Sequence, residues 1–263
     1  MTDKKQIGYI ITGHTGGVGQ ELVSFALKSG HKVIGISRSA VSDRKYASGN
    51  SQVLELQCDF LRNDEPMLSE GELNMIDEML TGCHETVYIA NAGQNTELDR
   101  SANEILSNVL KLVQVNTIGQ LKLVCELLSY KANMINKCVF IGSYLTFFGS
   151  ANASIGYTIS KMILQELAVR YQDQTDERLK IQAIVLGGVD TAMNRASEID
   201  KSRTRKWLSG LFRMSPEKAA RSIIEASESS SAIKFIPFLP AIMVTILYYG
   251  RCLFRVPLYL LRR

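Results

Sequence analysis

The 263-residue chain is poor in proline, with five in all, and has a single tryptophan. So few prolines exclude a polyproline or collagen-like chain, and 46% hydrophobic residues exclude a disordered one, because there is ample apolar side chain to build a core. Histidine is scarce as well, and His14, His31 and His84 stand apart from any common cluster. The five cysteines (Cys58, Cys83, Cys125, Cys138, Cys252) contain no Cys-x-x-Cys pair. That scatter argues against a metal site and against a disulfide framework, so a reducing compartment is expected, with cytoplasmic residence the default. No long apolar run follows the opening Met-Thr-Asp-Lys-Lys-Gln, so no signal peptide is expected. A formal charge of +4 is too small to argue for nucleic acid as a partner. No internal repeat or low-complexity block is visible.

What is present is an alternation of short apolar runs with longer amphipathic segments, the pattern of a parallel sheet covered by helices on both faces. Strands are expected at Gly8–Thr12, Lys32–Ser37, Gln52–Cys58, Thr86–Ala90, Cys138–Gly142 and Lys180–Leu186. Helices are expected near Gly17–Ser29, Glu72–Leu80, Ala102–Asn133 and Ile155–Gln174. Ser215-Pro216-Glu217 opens a further helix reaching about Ser227, with Ser as N-cap, Pro at the first helical position and an acid in the first turn. The expected fold is a single α/β domain of the doubly wound Rossmann type over residues 1–234. Residues 235–263 form a separate C-terminal apolar and basic segment. From Asp190 to Arg213 the chain turns polar and basic, which reads as an insertion over the sheet.

The first strand runs straight into Thr12-Gly13-His14-Thr15-Gly16-Gly17-Val18-Gly19 and then an apolar-periodic helix. Glycines there allow a sharp turn and let a diphosphate approach the amides at the positive end of the helix. A Gly-rich turn can be merely structural, and its place after the first strand is what favours a nucleotide. Further on, Tyr157 and Lys161 are four apart on a helix and so share a face. A tyrosine near pKa 10 is a poor base at neutral pH, and a neighbouring ammonium favours its phenolate. Ser143, at the end of a strand, can hydrogen-bond an oxygen on which negative charge develops. Singly these are ordinary residues: a half-buried tyrosine, a solvated lysine, a turn serine.

The Gly-x-x-x-Gly-x-Gly spacing resembles the short-chain dehydrogenase/reductase family, and the resemblance continues down most of the chain. Asn116, Ser143, Tyr157 and Lys161 match the family's catalytic tetrad in order. By that resemblance Asn116 holds a water linking Lys161 to solvent, Ser143 binds the substrate oxygen, and Tyr157 is the proton donor or acceptor tuned by Lys161. Cofactor contacts are implied for Gly13, Thr15, Gly17, Val18 and Gly19 of the turn. They are also implied for Asp59, against the adenine, and for Asn91, Ala92 and Gly93, where Ala90 replaces the family's first Asn. Tyr157 and Lys161 contact the nicotinamide side, with the Val189 backbone and the Thr191 side chain. Leu186 stands where the family has Pro.

Enzymes preferring NAD end the second strand with an acid that holds the ribose 2′-hydroxyl, whereas a 2′-phosphate needs a cation. Here Ser37 takes the acidic position and Arg38 follows, so NADP(H) is the expected cofactor. A second basic residue, common in NADP-preferring relatives, is missing from the glycine turn, where Gly16 stands. The expected activity is hydride transfer between nicotinamide and a carbonyl or alcohol carbon. Leu145–Ser154 and Asp190–Phe212 would shape the pocket, and their Phe147, Phe148, Met193, Trp207, Leu211 and Phe212 suggest an apolar, lipid-like substrate. Two alternatives remain: a regulatory or scaffold protein that senses NADPH without turnover, and an NAD-linked alcohol dehydrogenase.

Phe235–Gly250 is uncharged and apolar but carries Pro237 and Pro240, and at 16 residues it is short for a membrane span. Arg251, Arg255 and Arg262 follow on one helical face. This composition suits peripheral contact with anionic lipid. It equally suits a seventh strand at Phe235–Leu239 followed by packing on the pocket or on a second subunit. The resemblance implies a homodimer or homotetramer paired through long helices, for which the periodic run Ile105–Leu128 is suitable.

Overall fold

A computed structural model describes residues 5–39, 51–62, 66–95, 101–148, 154–171, 179–193 and 213–237. Seven strands lie in one sheet in the order β3-β2-β1-β4-β5-β6-β7, every neighbouring pair parallel. They are β1 (Ile7–Thr12), β2 (Lys32–Ser37), β3 (Val53–Gln57), β4 (Glu85–Ala90), β5 (Lys137–Ser143), β6 (Lys180–Leu186) and β7 (Ile233–Ile236). Side chains alternate between faces with period two, and the apolar runs supply both faces. Ile10, Ile34, Ile36, Tyr88, Cys138 and Phe140 join one core, while Tyr9, Ile11, Val33, Val87, Val139 and Ile141 join the other.

The first core packs against α2 (Glu70–Leu80), α4 (Gly119–Tyr130) and α6 (Ile155–Tyr171); the second packs against α1 (Gly17–Lys28) and α7 (Pro216–Ser227). Local chemistry starts several of these helices. Ser69 caps α2 in a reciprocal box with Glu72. Ser215 accepts from the Lys218 amide, with Pro216 at the first helical position, so α7 begins and ends where its sequence signals place it.

Two expectations are corrected. The single helix expected over Ala102–Asn133 is three pieces: α3 (Ala102–Val113), a π-helical turn at Gln114–Ile118, and α4. The wider turn is held by tertiary bonds from Asn116 and Thr117, which no local pattern announces. The seventh strand is Ile233–Ile236, two residues earlier than Phe235–Leu239, because its register is set by pairing with Ala183–Leu186 on β6. Of the segment after β7 only Pro237 is described, so the expectations for Phe238 to Arg263 lie outside the described residues. The same holds for residues 149–153 and 194–212, including Trp207, Leu211 and Phe212. A short helix α5 (Leu145–Phe148) follows β5.

Strand order reverses between β2 and β4 around β1, so the carboxyl ends of β1 and β4 diverge and leave a crevice there, the place where open α/β sheets bind ligands. Among the described residues no helix is long and apolar enough to cross a membrane, and no cluster of three or more His, Cys, Asp or Glu side chains could hold a metal.

Candidate active site

The turn after β1 is built around backbone that only glycine adopts easily. Gly13 has φ +67°, and a Cβ there would stand 2.8 Å from Ala92 Cα. Gly17 has φ +53° and lies under the Thr191 side chain, whose Cγ2 would be 3.3 Å from an added Cβ. At Gly19 a Cβ would meet the Gly13 carbonyl oxygen at 2.1 Å, so α1 starts in direct contact with the turn that precedes it. No side chain caps α1 and no acid lies in its first turn. Its leading amides and dipole are therefore offered to an external anion.

The turn is fastened to β4. Asn91 Nδ2 donates to the Thr12 and Gly13 carbonyls at 3.0 and 3.3 Å, and the Ala92 amide donates to Thr12 Oγ1 at 3.0 Å. Behind it Gln120 Oε1 accepts from Thr12 Oγ1 and from the Tyr88 hydroxyl, and Gln120 Nε2 donates to the Ala92 carbonyl. Gln120 is a tie that sequence reasoning missed, since nothing marks one glutamine in an amphipathic helix.

A cavity of about 810 Å³ runs along the carboxyl ends of the strands. Gly13, Thr15, Gly17 and Val18 line it from the turn; Ser37, Arg38 and Asp59 line it beyond β2 and β3. Asn91, Ala92 and Gly93 border it after β4, and Val189 and Thr191 after β6. Asp59 is partly committed to its own chain, because one carboxylate oxygen accepts the Leu61 amide at 3.0 Å. Gly19 and Asn116 do not line the cavity. Gly19 supports it from behind, and Asn116 is fully buried. Arg213, which the sequence placed in an insertion, also faces this space.

Ser143, Tyr157 and Lys161 meet at one wall of the cavity. Ser143 closes β5, and Tyr157 and Lys161 sit one turn apart on α6. The Ser143 hydroxyl is the polar group that acts on the Tyr157 phenol. Burial raises the phenol above its usual 10, and Ser143 opposes that rise. Burial lowers the Lys161 ammonium to about 8, with only 4% of the residue exposed. Burial thus shifts the tyrosine further toward the neutral phenol and brings the lysine ammonium down to about 8.

The Asn116 side chain is fully bonded within the protein. Its Oδ1 accepts the Gln94 amide at 2.7 Å, and its Nδ2 donates to the Gln94 carbonyl and to Ser160 Oγ, both at 2.9 Å. It thereby ties the chain after β4 to α6. Gly93 has Asn116 Oδ1 and Lys161 Nζ each 3.4 Å from the place of a Cβ, so both side chains border that glycine.

Two more residues escaped the sequence reading. Gln165 Oε1 accepts the Ser143 amide at 3.2 Å, its Nε2 donates to Thr146 Oγ1 at 3.1 Å, and Thr146 Oγ1 donates to the Ser143 carbonyl at 2.7 Å. This ring fixes Ser143 from both sides. The one available signal was that Gln165 lies four residues beyond Lys161, on the same helical face.

Fold and site define an α/β protein with a nucleotide-sized crevice over a glycine turn and a Ser-Tyr-Lys constellation at its wall. The family profile described as short chain dehydrogenase matches residues 9–202. The chain belongs to the short-chain dehydrogenase family. No curated protein matches it in sequence. Similar solved structures include a short-chain dehydrogenase from Burkholderia cenocepacia J2315 in complex with NADP, at 16% identity and TM-score 0.69, covering 98% of this chain and 99% of that one. Another is a short chain dehydrogenase/reductase from Burkholderia phymatum in complex with NAD, at 16% identity and TM-score 0.65, with 96% of each chain covered. A third, from Sphingobium yanoikuyae in complex with NADPH, has 18% identity, TM-score 0.65 and 95% coverage of each chain. At these identities the likeness speaks for the fold.

Proposed function

We propose that this protein is an NADP(H)-dependent oxidoreductase that reduces a carbonyl group to an alcohol, with Tyr157 as general acid. The carrying observation is the meeting of Ser143, Tyr157 and Lys161 at the wall of the cavity whose floor is the glycine turn. Bare α1 amides and a cradle that a Cβ at Gly13 or Gly17 would disturb fit a diphosphate. Gly13, Thr15, Gly17 and Val18 would hold it, with Gly19 as backing, Asp59 by the adenine, Asn91, Ala92 and Gly93 along the ring system, and Val189 and Thr191 at the nicotinamide. When bound, the nicotinamide supplies or takes up the hydride.

Ser143 donates to the substrate oxygen as charge grows on it, and the Tyr157 hydroxyl gives up its proton to that oxygen. Lys161, charged below about pH 8, lies on the same helical face and favours the phenolate left behind. Burial moves the Tyr157 phenol further up, toward the form that donates a proton; because carbonyl reduction consumes a proton, alcohol oxidation gains as pH rises. Asn116 holds Gln94 and Ser160 and so positions α6. Arg38 beside Ser37, with no acid at the strand end, supports the 2′-phosphate. Tyr144, Leu145, Leu186 and Met193 on the wall support an apolar substrate.

Three further proposals attach to this reading. The protein is a homodimer or homotetramer. It resides in the cytoplasm. Its 235–263 segment, whose first two residues belong to β7 of the domain proposed over 1–234, touches anionic membrane surface.

The test is a panel of carbonyl compounds with NADPH and NADH, run on the wild type, Tyr157→Phe and Arg38→Ala. Turnover with NADPH that falls by roughly 10²-fold or more in Tyr157→Phe, the scale of a lost proton donor, is expected. Arg38→Ala is expected to weaken NADPH and leave NADH little changed. Tight NADPH binding with no turnover anywhere in the panel would replace the enzyme by a sensor, and NADH preference in the wild type would replace the cofactor.

A further inference from the structure

We infer that His14 and Glu55 form a buried clasp that positions the glycine turn, so that dinucleotide affinity depends on two side chains the ligand does not touch. The inference rests on the reading of that turn as the dinucleotide site. Residues 13–17 contain three glycines, and only His14 and Thr15 carry side chains by which the turn could be held. Thr15 faces the cavity, while His14 is absent from its walls and is 2% exposed. The imidazole points instead across β2 and places Nε2 2.9 Å from Glu55 Oε1 on β3.

The crossing is possible because position 35 is glycine. Gly35 pairs in register with Ile11 on one side and Glu55 on the other, and a Cβ there would come within 2.6 Å of the His14 ring. The ring takes the space that a side chain on β2 would fill. Glu55 is 5% exposed, and among the described residues neither His14 Nδ1 nor Glu55 Oε2 has a hydrogen-bond partner. Whatever the proton count, the pair strands a polar atom on each partner.

Such a pair is a poor device for stability, since apolar residues of similar size in a buried site often do as well or better. What it supplies is direction: one bond fixes ring and carboxylate in a single arrangement, and the turn moves with the ring. The backbone bond from the Gly13 amide to the Ile36 carbonyl, 2.7 Å, fixes the first residue of the turn, and His14 fixes the next. Without it, Gly16 and Gly17 leave the phosphate-facing amides many conformations to choose from. His14 and Glu55 are thus positioning residues.

The experiment measures NADPH affinity by titration calorimetry and thermal stability without cofactor, in the wild type, Glu55→Leu, Glu55→Gln and the double variant His14→Leu/Glu55→Leu. Glu55→Leu is expected to bind NADPH roughly tenfold more weakly or worse, the scale on which misplaced groups act. Glu55→Gln, which keeps the bond, is expected to restore most of the affinity. The double variant decides between roles. Its melting temperature is expected to return to the wild-type value or above while its affinity stays low. Affinity that recovers together with stability, or that never falls in Glu55→Leu, overturns the clasp. A wild type that does not bind NADPH overturns the cofactor reading itself, a separate result seen before any variant is compared.

Discussion

At the scale of single residues, the site sets function against stability most openly at Lys161. Its ammonium is buried, and burial brings it from the ordinary 10.5 to about 8. Between those two values the unfolded chain binds this proton and the folded chain does not, so stability rises with pH across the window. Below about pH 8 both states carry the charge and the fold bears the whole desolvation cost. Lys161→Met keeps the stem and removes the charge. It is expected to stabilise the cofactor-free protein at pH 7 on the order of 3 kcal/mol, the width of that window in energy, while abolishing turnover. Melting curves at pH 7 and pH 10.5 check this: the gain should shrink toward zero at the higher pH, and an equal shift at both would mean that charge burial is not its origin. Ser143 shows the opposite economy. Its amide, carbonyl and hydroxyl are all bonded within the site, so little reorganisation is left for the reaction itself.

At the scale of elements, α1 and α6 carry the argument. The start of α1 is locked to its own approach by Gly19, where an alanine would put a methyl 2.1 Å from a backbone oxygen that cannot rotate away. Gly19→Ala is therefore expected to cost about 1–3 kcal/mol, as overpacking does, and to weaken NADPH in parallel. Wild-type affinity and stability in this variant would show that the turn yields easily. The other helix presents two faces. Toward the protein it sends Ser160, Lys161, Leu164, Gln165 and Ala168; outward it sends Ile155, Ile159, Met162, Ile163 and Val169. Gly156 lets it cross close to α3, an added Cβ there standing 2.7 Å from the Asn108 carbonyl. Alongside it α3 exposes Leu106 and Leu110, the latter 74% accessible.

At the scale of the whole molecule, the apolar surface that α3 and α6 expose among the described residues includes Leu106, Leu110, Ile159, Met162 and Ile163. We expect it to be buried between copies of the chain. Leu110→Glu with Met162→Glu, both exposed and both away from the cavity, should convert a dimer or tetramer to monomer in sedimentation velocity without lowering the melting point of the monomer. A wild type that is itself monomeric at micromolar concentration would refute the pairing. For the segment 235–263, the expected outcome is co-flotation of the full chain with phosphatidylserine-containing vesicles and loss of flotation when residues 238–263 are removed or salt is raised. Flotation on neutral vesicles alone would speak against a basic lipid-facing surface.

How much of this could be read beforehand follows the range of the interactions involved. Six strands, the helix after the glycine turn and the exact span of α7 rest on periodicity and capping, which act within a few residues, and all were legible within two residues at each end. The order of Ser143, Tyr157 and Lys161 was legible because one helix turn and one strand end place them. The π-turn in the long helix was not, because it is held by Asn116 to Gln94 and Ser160, 22 and 44 residues away.

The sequence by itself settled the alternation of strand and helix, the glycines that a tight turn requires and the helical face shared by Tyr157 and Lys161, since each depends on neighbours along the chain. The tertiary structure alone decided that Asn116 ties the chain after β4 to α6, that Gln165 grips Ser143, and that His14 reaches Glu55 over Gly35. Those contacts join positions brought together only when the sheet forms and water is expelled, and in one dimension nothing sets their partners apart from other polar residues.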